Sequence, residues 1–134
     1  MQTELIAQSW DSLNPRHIEV IQTFYDRFFE RFPNYRAMFP ESMDYQMKKM
    51  VRTMAMVARL SEDQSIVEPH LTKVGDRHSA YRLSEQDLQN FKDVFIEVLA
   101  EECGGQWTED CRKAWSEAFD QVIIPNMMQG FARA

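Results

Sequence analysis

Apolar side chains between residues 43 and 57 recur with the period of an α-helix. Met43, Met47, Met50, Met54 and Val57 are separated by four, three, four and three residues. Successive residues of a helix are rotated by about 100°, so these side chains form one continuous stripe. A helix with such a stripe has to bury it against other elements, which predicts a chain built from packed helices.

The residues that break helices are few, and they lie where helices would end. Four glycines and five prolines are spread over 134 residues. Asn-Gly or Asp-Gly hairpin signals are absent from the sequence, and strict apolar/polar alternation is scarce. We therefore predict an all-α fold. The first predicted helix runs from after Thr3 to Asn14-Pro15, the second from there to about Phe32, and a short third lies between Pro33 and Pro40. The fourth runs from a Ser42 cap to about Leu60 and, after a loop at 61–67, the fifth runs from Glu68 to Tyr81. The sixth runs from a Ser84–Asp87 capping box to Gly104, and the last begins at a Thr108 cap and is interrupted at Pro125.

Length and charge limit the classes of function. A chain of 134 residues is expected to form one domain, residues 1–134. Its formal net charge is −6 and it has no long basic run, which argues against a nucleic-acid partner or a membrane-surface patch. No signal peptide or membrane span is visible, so we predict a soluble cytoplasmic protein in which Cys103 and Cys111 are reduced thiols.

Two of the three histidines lie in the segment EPHLTKVGDRHSAYRLS, residues 68–84. On a helical projection His78 lies within about 40° of both Leu71 and Val74, whereas His70 lies about 80° from His78. His78 is therefore predicted to face inward and His70 to be exposed. Their separation of eight residues does not suit a metal site with two histidines on one helix. A single imidazole can instead be the fifth ligand of an iron held by four porphyrin nitrogens, or it can be a core histidine bonded to a backbone carbonyl.

Gln46 is the polar residue nearest to the methionine stripe. It projects within about 40° of Met50, at the border of the buried face, so its amide can point inward. The alternative is that Gln46 is a rim residue and that the methionines are flexible core filler.

Two segments of the sequence resemble a known family. The segments FYDRFFERFPNYRAMF (24–39) and GDRHSAY (75–81) resemble bacterial single-domain globins and the globin half of flavohaemoglobins. The resemblance covers nearly the whole chain and depends on the order and spacing of four landmarks. Tyr25 follows a phenylalanine, Phe39 comes fourteen residues later, Gln46 lies in the long helix that follows, and His78 comes 32 residues after Gln46.

The resemblance implies a globin fold of about six to eight helices that enclose haem b. It implies that His78 is the proximal iron ligand and that Tyr25 and Gln46 donate hydrogen bonds to a gas ligand (O2, NO or CO). Lys49 could reach a haem propionate, and a distal lysine ligand is the lesser alternative because it must be deprotonated to bind iron. The haem would lie between the helices 42–60 and 69–81. The remaining pocket residues would be Phe28, Phe39, Met50, Met54, Leu71, Val74, Tyr81, Phe91 and Phe95.

The sequence also departs from the flavohaemoglobin pattern. Leu88 and Gly130 occupy the positions where flavohaemoglobins carry a tyrosine and a glutamate that make the proximal histidine more anionic. No reductase domain follows in this chain, so a catalytic cycle would need a separate reductase. Three functions remain open: reversible binding of oxygen and possibly nitric oxide, nitric oxide dioxygenation with a separate reductase, and a sensor or interaction module. The sequence does not decide whether the protein is an enzyme, nor its oligomeric state.

Overall fold

A computed structural model describes residues 2–59, 64–78 and 81–132. These residues contain helices and no strand, which confirms the all-α prediction, and within them no helix is both long and apolar enough to cross a membrane. The α-helices are α1 (Thr3–Asp11), α2 (His17–Arg31), α3 (Asp44–Val57), α4 (Gln64–His78), α5 (Glu85–Cys103), α6 (Glu109–Ala118) and α7 (Ile124–Ala132). Short 3₁₀ turns occupy Pro33–Met38 and Gly104–Gln106, and a π-helical turn occupies Phe119–Ile123.

Two of the three predicted helix caps are confirmed. The Ser84 hydroxyl accepts a bond from the Asp87 N–H at 3.2 Å, and the Asp87 carboxylate accepts one from the Ser84 N–H at 2.7 Å. The Thr108 hydroxyl accepts a bond from the Cys111 N–H at 3.2 Å. The prediction for Ser42 is wrong, because α3 begins at Asp44 and its first turn has no side-chain cap.

The prediction of a loop at 61–67 is also wrong for residues 64–67, which are helical. Helix α4 already begins at Gln64, so Pro69 lies inside it. Val67 is 2% exposed, and its packing into the core compensates for the helical hydrogen bond that a proline cannot donate. The described part of this helix runs to His78, and Tyr81, its predicted end, is not α-helical; residues 79–80 between them lie outside the described residues. The predicted end of the preceding helix at Leu60 lies outside the described residues.

The predicted interruption near Pro125 is confirmed. Pro125 is the second residue of α7 and comes two residues after the end of the π-helical turn Phe119–Ile123. Because proline has no N–H, it cannot complete the i to i−4 bond of a continuous helix, and the wider π turn accommodates that gap.

Aromatic rings from α2, α5 and α6 form the centre of the core. The Phe24 ring lies 4.7 Å from Phe91 and 5.5 Å from Phe95, measured between centroids. Phe95 also contacts Trp115, with 5.7 Å between the ring centroids. The indole N–H of Trp115 donates to the Ser9 hydroxyl at 2.8 Å, which ties α6 to α1. Helix α3 packs against α2 and helix α4 packs against α7, and a cavity lies between α3 and α4.

Candidate functional site

The cavity between α3 and α4 has a volume of about 640 Å³. Sites for small molecules and cofactors usually measure about 300–1,000 Å³, so this cavity is large enough to be one. Side chains of α2, of the turn after it, of α5, of the π-helical turn and of α7 also line it. The structure brings together at this cavity the predicted site residues Tyr25, Phe28, Phe39, Gln46, Lys49, Met50, Met54, Leu71, Val74, His78, Tyr81 and Phe91.

His78 is the last residue of α4 and lies half-buried in the cavity wall. Its Nδ1 lies 2.6 Å from the Val74 carbonyl oxygen, one helical turn earlier. A carbonyl oxygen only accepts hydrogen bonds, so Nδ1 is the donor, and in the neutral ring this tautomer leaves the lone pair on Nε2. Within the residues that the structure describes, this is the single hydrogen bond of the ring. The two readings of an inward histidine are thus compatible, since the carbonyl takes one nitrogen and leaves the other able to bind a metal.

Tyr25 and Gln46 form a polar pair on the walls contributed by α2 and α3. The Gln46 amide donates to the Tyr25 hydroxyl oxygen at 3.2 Å. Among the described residues the Tyr25 hydroxyl has no acceptor for its own proton, which leaves that proton available to a ligand. Burial raises the pKa of Tyr25 to about 12 against the opposing effect of the Gln46 bond, so the hydroxyl stays protonated near neutral pH.

The apolar part of the wall differs from the prediction at one residue. Phe95 does not line the cavity: it is 1% exposed and lies behind Phe91, with the two ring centroids 5.9 Å apart. Both rings project from the same face of α5. The part of that face around Phe91 borders the cavity, whereas Trp115 covers the part around Phe95. Among the stripe methionines, Met47 is likewise buried in the core away from the cavity.

His70 is a cavity residue that the sequence reasoning missed. It lies half-buried in the cavity wall, so the prediction that it is exposed is wrong. Burial lowers its pKa, and the nearby charges of Arg77 and Lys73 lower it further. The inward face of a helix is commonly wider than 100°, and a wider projection would have included a residue about 80° from His78.

Tyr35 and Asp87 form a second polar pair at the cavity wall that was not predicted. The Tyr35 hydroxyl donates to the Asp87 carboxylate at 2.6 Å and accepts from the Asn90 amide at 3.1 Å. Burial and the bond to Asp87 raise the pKa of Tyr35. Burial would raise the pKa of Asp87, but the bonds from Tyr35 and Ser84 outweigh it and hold that pKa below its usual value. No local signal marks this pair, since 52 residues separate its members.

The cavity also has a cationic rim. Lys49 and Arg52 of α3 and Arg77 of α4 line it and are exposed, and the Lys49 ammonium lies 5.0 Å from the centroid of the Tyr45 ring. These cations lie where they can meet the carboxylates of a bound group. In the described part of the chain no three histidine, cysteine or acidic side chains form a metal cluster. A metal at His78 would therefore need ligands from elsewhere, such as a macrocycle.

These features together fit haem. One wall supplies an imidazole with a free Nε2, another supplies two hydrogen-bond donors, the space between is lined by apolar side chains, and the rim carries positive charge. Comparison with known proteins bears on this fit, since the globin family profile matches residues 22–125 of the chain. The chain belongs to the globin family. Membership in this family implies haem binding.

Individual globins resemble the chain at low identity over nearly its whole length. The neuroglobin of Dissostichus mawsoni is 25% identical over 145 aligned positions, which cover 97% of this chain and 90% of that protein. The neuroglobin of Tetraodon nigroviridis is 26% identical with the same coverage. A protein of Casuarina glauca named anaerobic nitrite reductase is 21% identical over 137 positions, covering 91% of this chain and 86% of that one.

Leu88 and Gly130 have clear places in this globin. Leu88 is 8% exposed and lines the cavity. Gly130 is buried where α7 crosses α4, and a Cβ atom there would lie 2.1 Å from the Thr72 carbonyl oxygen. Neither residue offers a hydrogen-bonding side chain to His78. The described partner of its ring is therefore the neutral Val74 carbonyl.

Proposed function

We propose that the protein is a haem b-binding globin that reversibly binds oxygen and nitric oxide. His78 is the iron ligand, and Tyr25 and Gln46 are the donors to the gas. The observation that carries the proposal is the pairing of two features across one cavity. The His78 ring is oriented by the Val74 carbonyl at 2.6 Å, and the Tyr25 hydroxyl is held by Gln46 at 3.2 Å.

When haem is bound, its iron supplies an open coordination position for a diatomic gas. The Gln46 amide occupies a lone pair of the Tyr25 oxygen, which helps to direct the Tyr25 proton toward the cavity. A ligand that gains negative charge on binding, such as oxygen, is stabilised by this donor more than neutral carbon monoxide is. The apolar side chains around the pair, including Phe39 and Met50, exclude water and limit irreversible oxidation.

The test is an absorption spectrum of the protein reconstituted with haem, recorded in ferric, dithionite-reduced and air-exposed forms. We expect one broad visible band after reduction and a persistent two-band form in air. His78→Ala should abolish this behaviour. His70→Ala is the matched control, because it removes a second imidazole from the same cavity, and it should leave the spectra unchanged. A protein that retains no haem, or a His78→Ala variant with wild-type spectra, would overturn the proposal.

Reduction of nitrite is a second candidate, favoured by the cationic rim. Lys49, Arg52 and Arg77 line the cavity, and the carboxylate of Asp87, which also lines it, is already bonded to Tyr35. Such a rim attracts small anions, although the chain carries a net charge of −6. The name of the Casuarina glauca relative refers to this reaction.

Nitrite consumption by the dithionite-reduced, haem-loaded protein under anaerobic conditions tests this candidate. Arg52→Gln should slow it severalfold at low ionic strength and less at high ionic strength, because salt screens the attraction. Arg112→Gln is the control, since Arg112 is exposed on α6 and pairs with Glu109. Equal rates in both variants at low salt would argue against a role for the rim.

A further inference from the structure

Helices α4 and α7 meet backbone to backbone at two glycines. A Cβ atom built on Gly75 would lie 2.2 Å from the Met127 carbonyl oxygen and 2.8 Å from its carbonyl carbon. A Cβ atom built on Gly130 would lie 2.1 Å from the Thr72 carbonyl oxygen and 2.6 Å from the Asp76 nitrogen. Real Cβ contacts essentially never fall below 3.0 Å, so neither position accepts a side chain unless the helices move apart.

Backbone conformation does not explain these two glycines. Among the glycines, only Gly104 has a positive φ, whereas Gly75 and Gly130 lie within regular α-helix. A glycine inside a helix destabilises it by about 0.5–1 kcal/mol relative to alanine. The close approach of the two helices is therefore the feature that requires glycine at both positions.

This contact lies in the same helical turn as His78. Gly75 precedes His78 by three residues and directly follows Val74, whose carbonyl orients the imidazole. One turn earlier, the Thr72 hydroxyl donates to the Glu68 carbonyl oxygen of its own helix at 3.1 Å and also lies 3.5 Å from the Asn126 side-chain oxygen of α7. The part of α4 that carries the imidazole is therefore held against α7 on one side, while Leu71 and Val74 line the cavity.

We propose that Gly75 and Gly130 are positioning residues that set how far His78 projects into the haem pocket. The inference rests on the proposed function, because it takes His78 as the iron ligand. In Gly75→Ala, the distance between the new Cβ atom and the Met127 carbonyl oxygen has to increase from 2.2 Å to at least 3.0 Å. Helix α4 then moves by roughly 1 Å, which is enough to change the geometry of a metal–imidazole bond.

The experiment compares haem-loaded Gly75→Ala and Gly130→Ala with Gly105→Ala as the matched control. Gly105 has nothing within 4 Å of a built Cβ atom and lies outside α4 and α7. The primary measurement is the iron–imidazole stretching band in the resonance Raman spectrum of the reduced protein. The second is the rate of haem transfer to an excess of a haem-scavenging globin. We expect the band to shift and haem loss to accelerate at least tenfold in the first two variants only.

The outcomes separate this inference from the proposed function. Folded variants at residues 75 and 130 with the wild-type band and haem loss within twofold of wild type would overturn the inference alone. A wild-type protein without the iron–imidazole band would overturn both. If the alanine variants do not fold, Thr72→Val decides, because it removes the Thr72–Asn126 contact between the same two helices and adds no bulk. A shifted band and severalfold faster haem loss in that variant support the inference, and unchanged values refute it.

Discussion

Replacing Tyr25 by phenylalanine removes a single hydroxyl from the centre of the site. Tyr25 is 2% exposed, so phenylalanine fits the same space, and the bond from Gln46 at 3.2 Å is lost. A neutral hydrogen bond contributes about 0.5–1.5 kcal/mol to folding, so we expect the haem-free variant to unfold at slightly lower denaturant concentration. Its main effect should be on the ligand.

A hydroxyl that donates to a partly charged gas ligand stabilises it by about 1–3 kcal/mol. Losing that bond corresponds to a roughly five- to 150-fold faster release of oxygen, since about 1.4 kcal/mol is a factor of ten. Stopped-flow displacement of oxygen by carbon monoxide measures this rate. The association rate should change little, because the substitution removes an atom and does not narrow the cavity.

Tyr35→Phe is the matched control for this prediction. Tyr35 also lines the cavity, but its proton is donated to Asp87 at 2.6 Å and is not free for a ligand. Its substitution should leave oxygen release within twofold of wild type. A Tyr25→Phe protein that releases oxygen at the wild-type rate, or equal effects of the two substitutions, would refute the reasoning from hydroxyl orientation.

Three further predictions concern the haem-free protein. First, the pKa of Tyr25 is 10.0 in the unfolded chain and about 12 in the folded protein, so its contribution to stability is complete below pH 10 and is lost as the pH rises toward 12. Denaturant titrations of Tyr25→Phe should therefore show a smaller loss of stability at alkaline pH than titrations of the wild type. Second, the pKa of Asp87 is lowered by folding, so its contribution is present at neutral pH and is lost on acidification through the folded pKa; Tyr35→Phe should reduce this loss in acid titrations of stability. Third, Ser84→Ala should lower the free energy of unfolding by about 0.5–2 kcal/mol, whereas thermal melts of Ser42→Ala should be nearly unchanged, because Ser42 caps no helix.

Local chemistry explains which parts of the fold could be predicted. The Ser84 box and the Thr108 cap depend on residues three positions apart, and both were predicted correctly. The start of α4 was not, because Pro69 is a strong local signal against a helix interior and the burial of Val67 outweighs it. That burial depends on packing between helices, which no local pattern contains.

The same distinction holds within the cavity. Helical period gives the direction of a side chain, so Gln46 and Met50 could be placed toward the cavity. It does not give depth, and Phe91 and Phe95 differ only in depth, one at the wall and the other behind it. The bond between Tyr35 and Asp87 joins residues 52 positions apart and needs the tertiary fold.

The position of His78 and its electronic character have one structural origin. An additional carboxylate near the His78 ring would strengthen the donation of that ring to a bound iron. Here a side chain at residue 130 would have to begin 2.1 Å from the Thr72 carbonyl oxygen, so the close contact of α4 with α7 excludes it. The described partner of Nδ1 is instead the neutral carbonyl of Val74. If His78 binds iron, the contact that positions it also excludes a carboxylate at residue 130, and the lack of that partner favours reversible gas binding over the strong electron donation that promotes O–O cleavage.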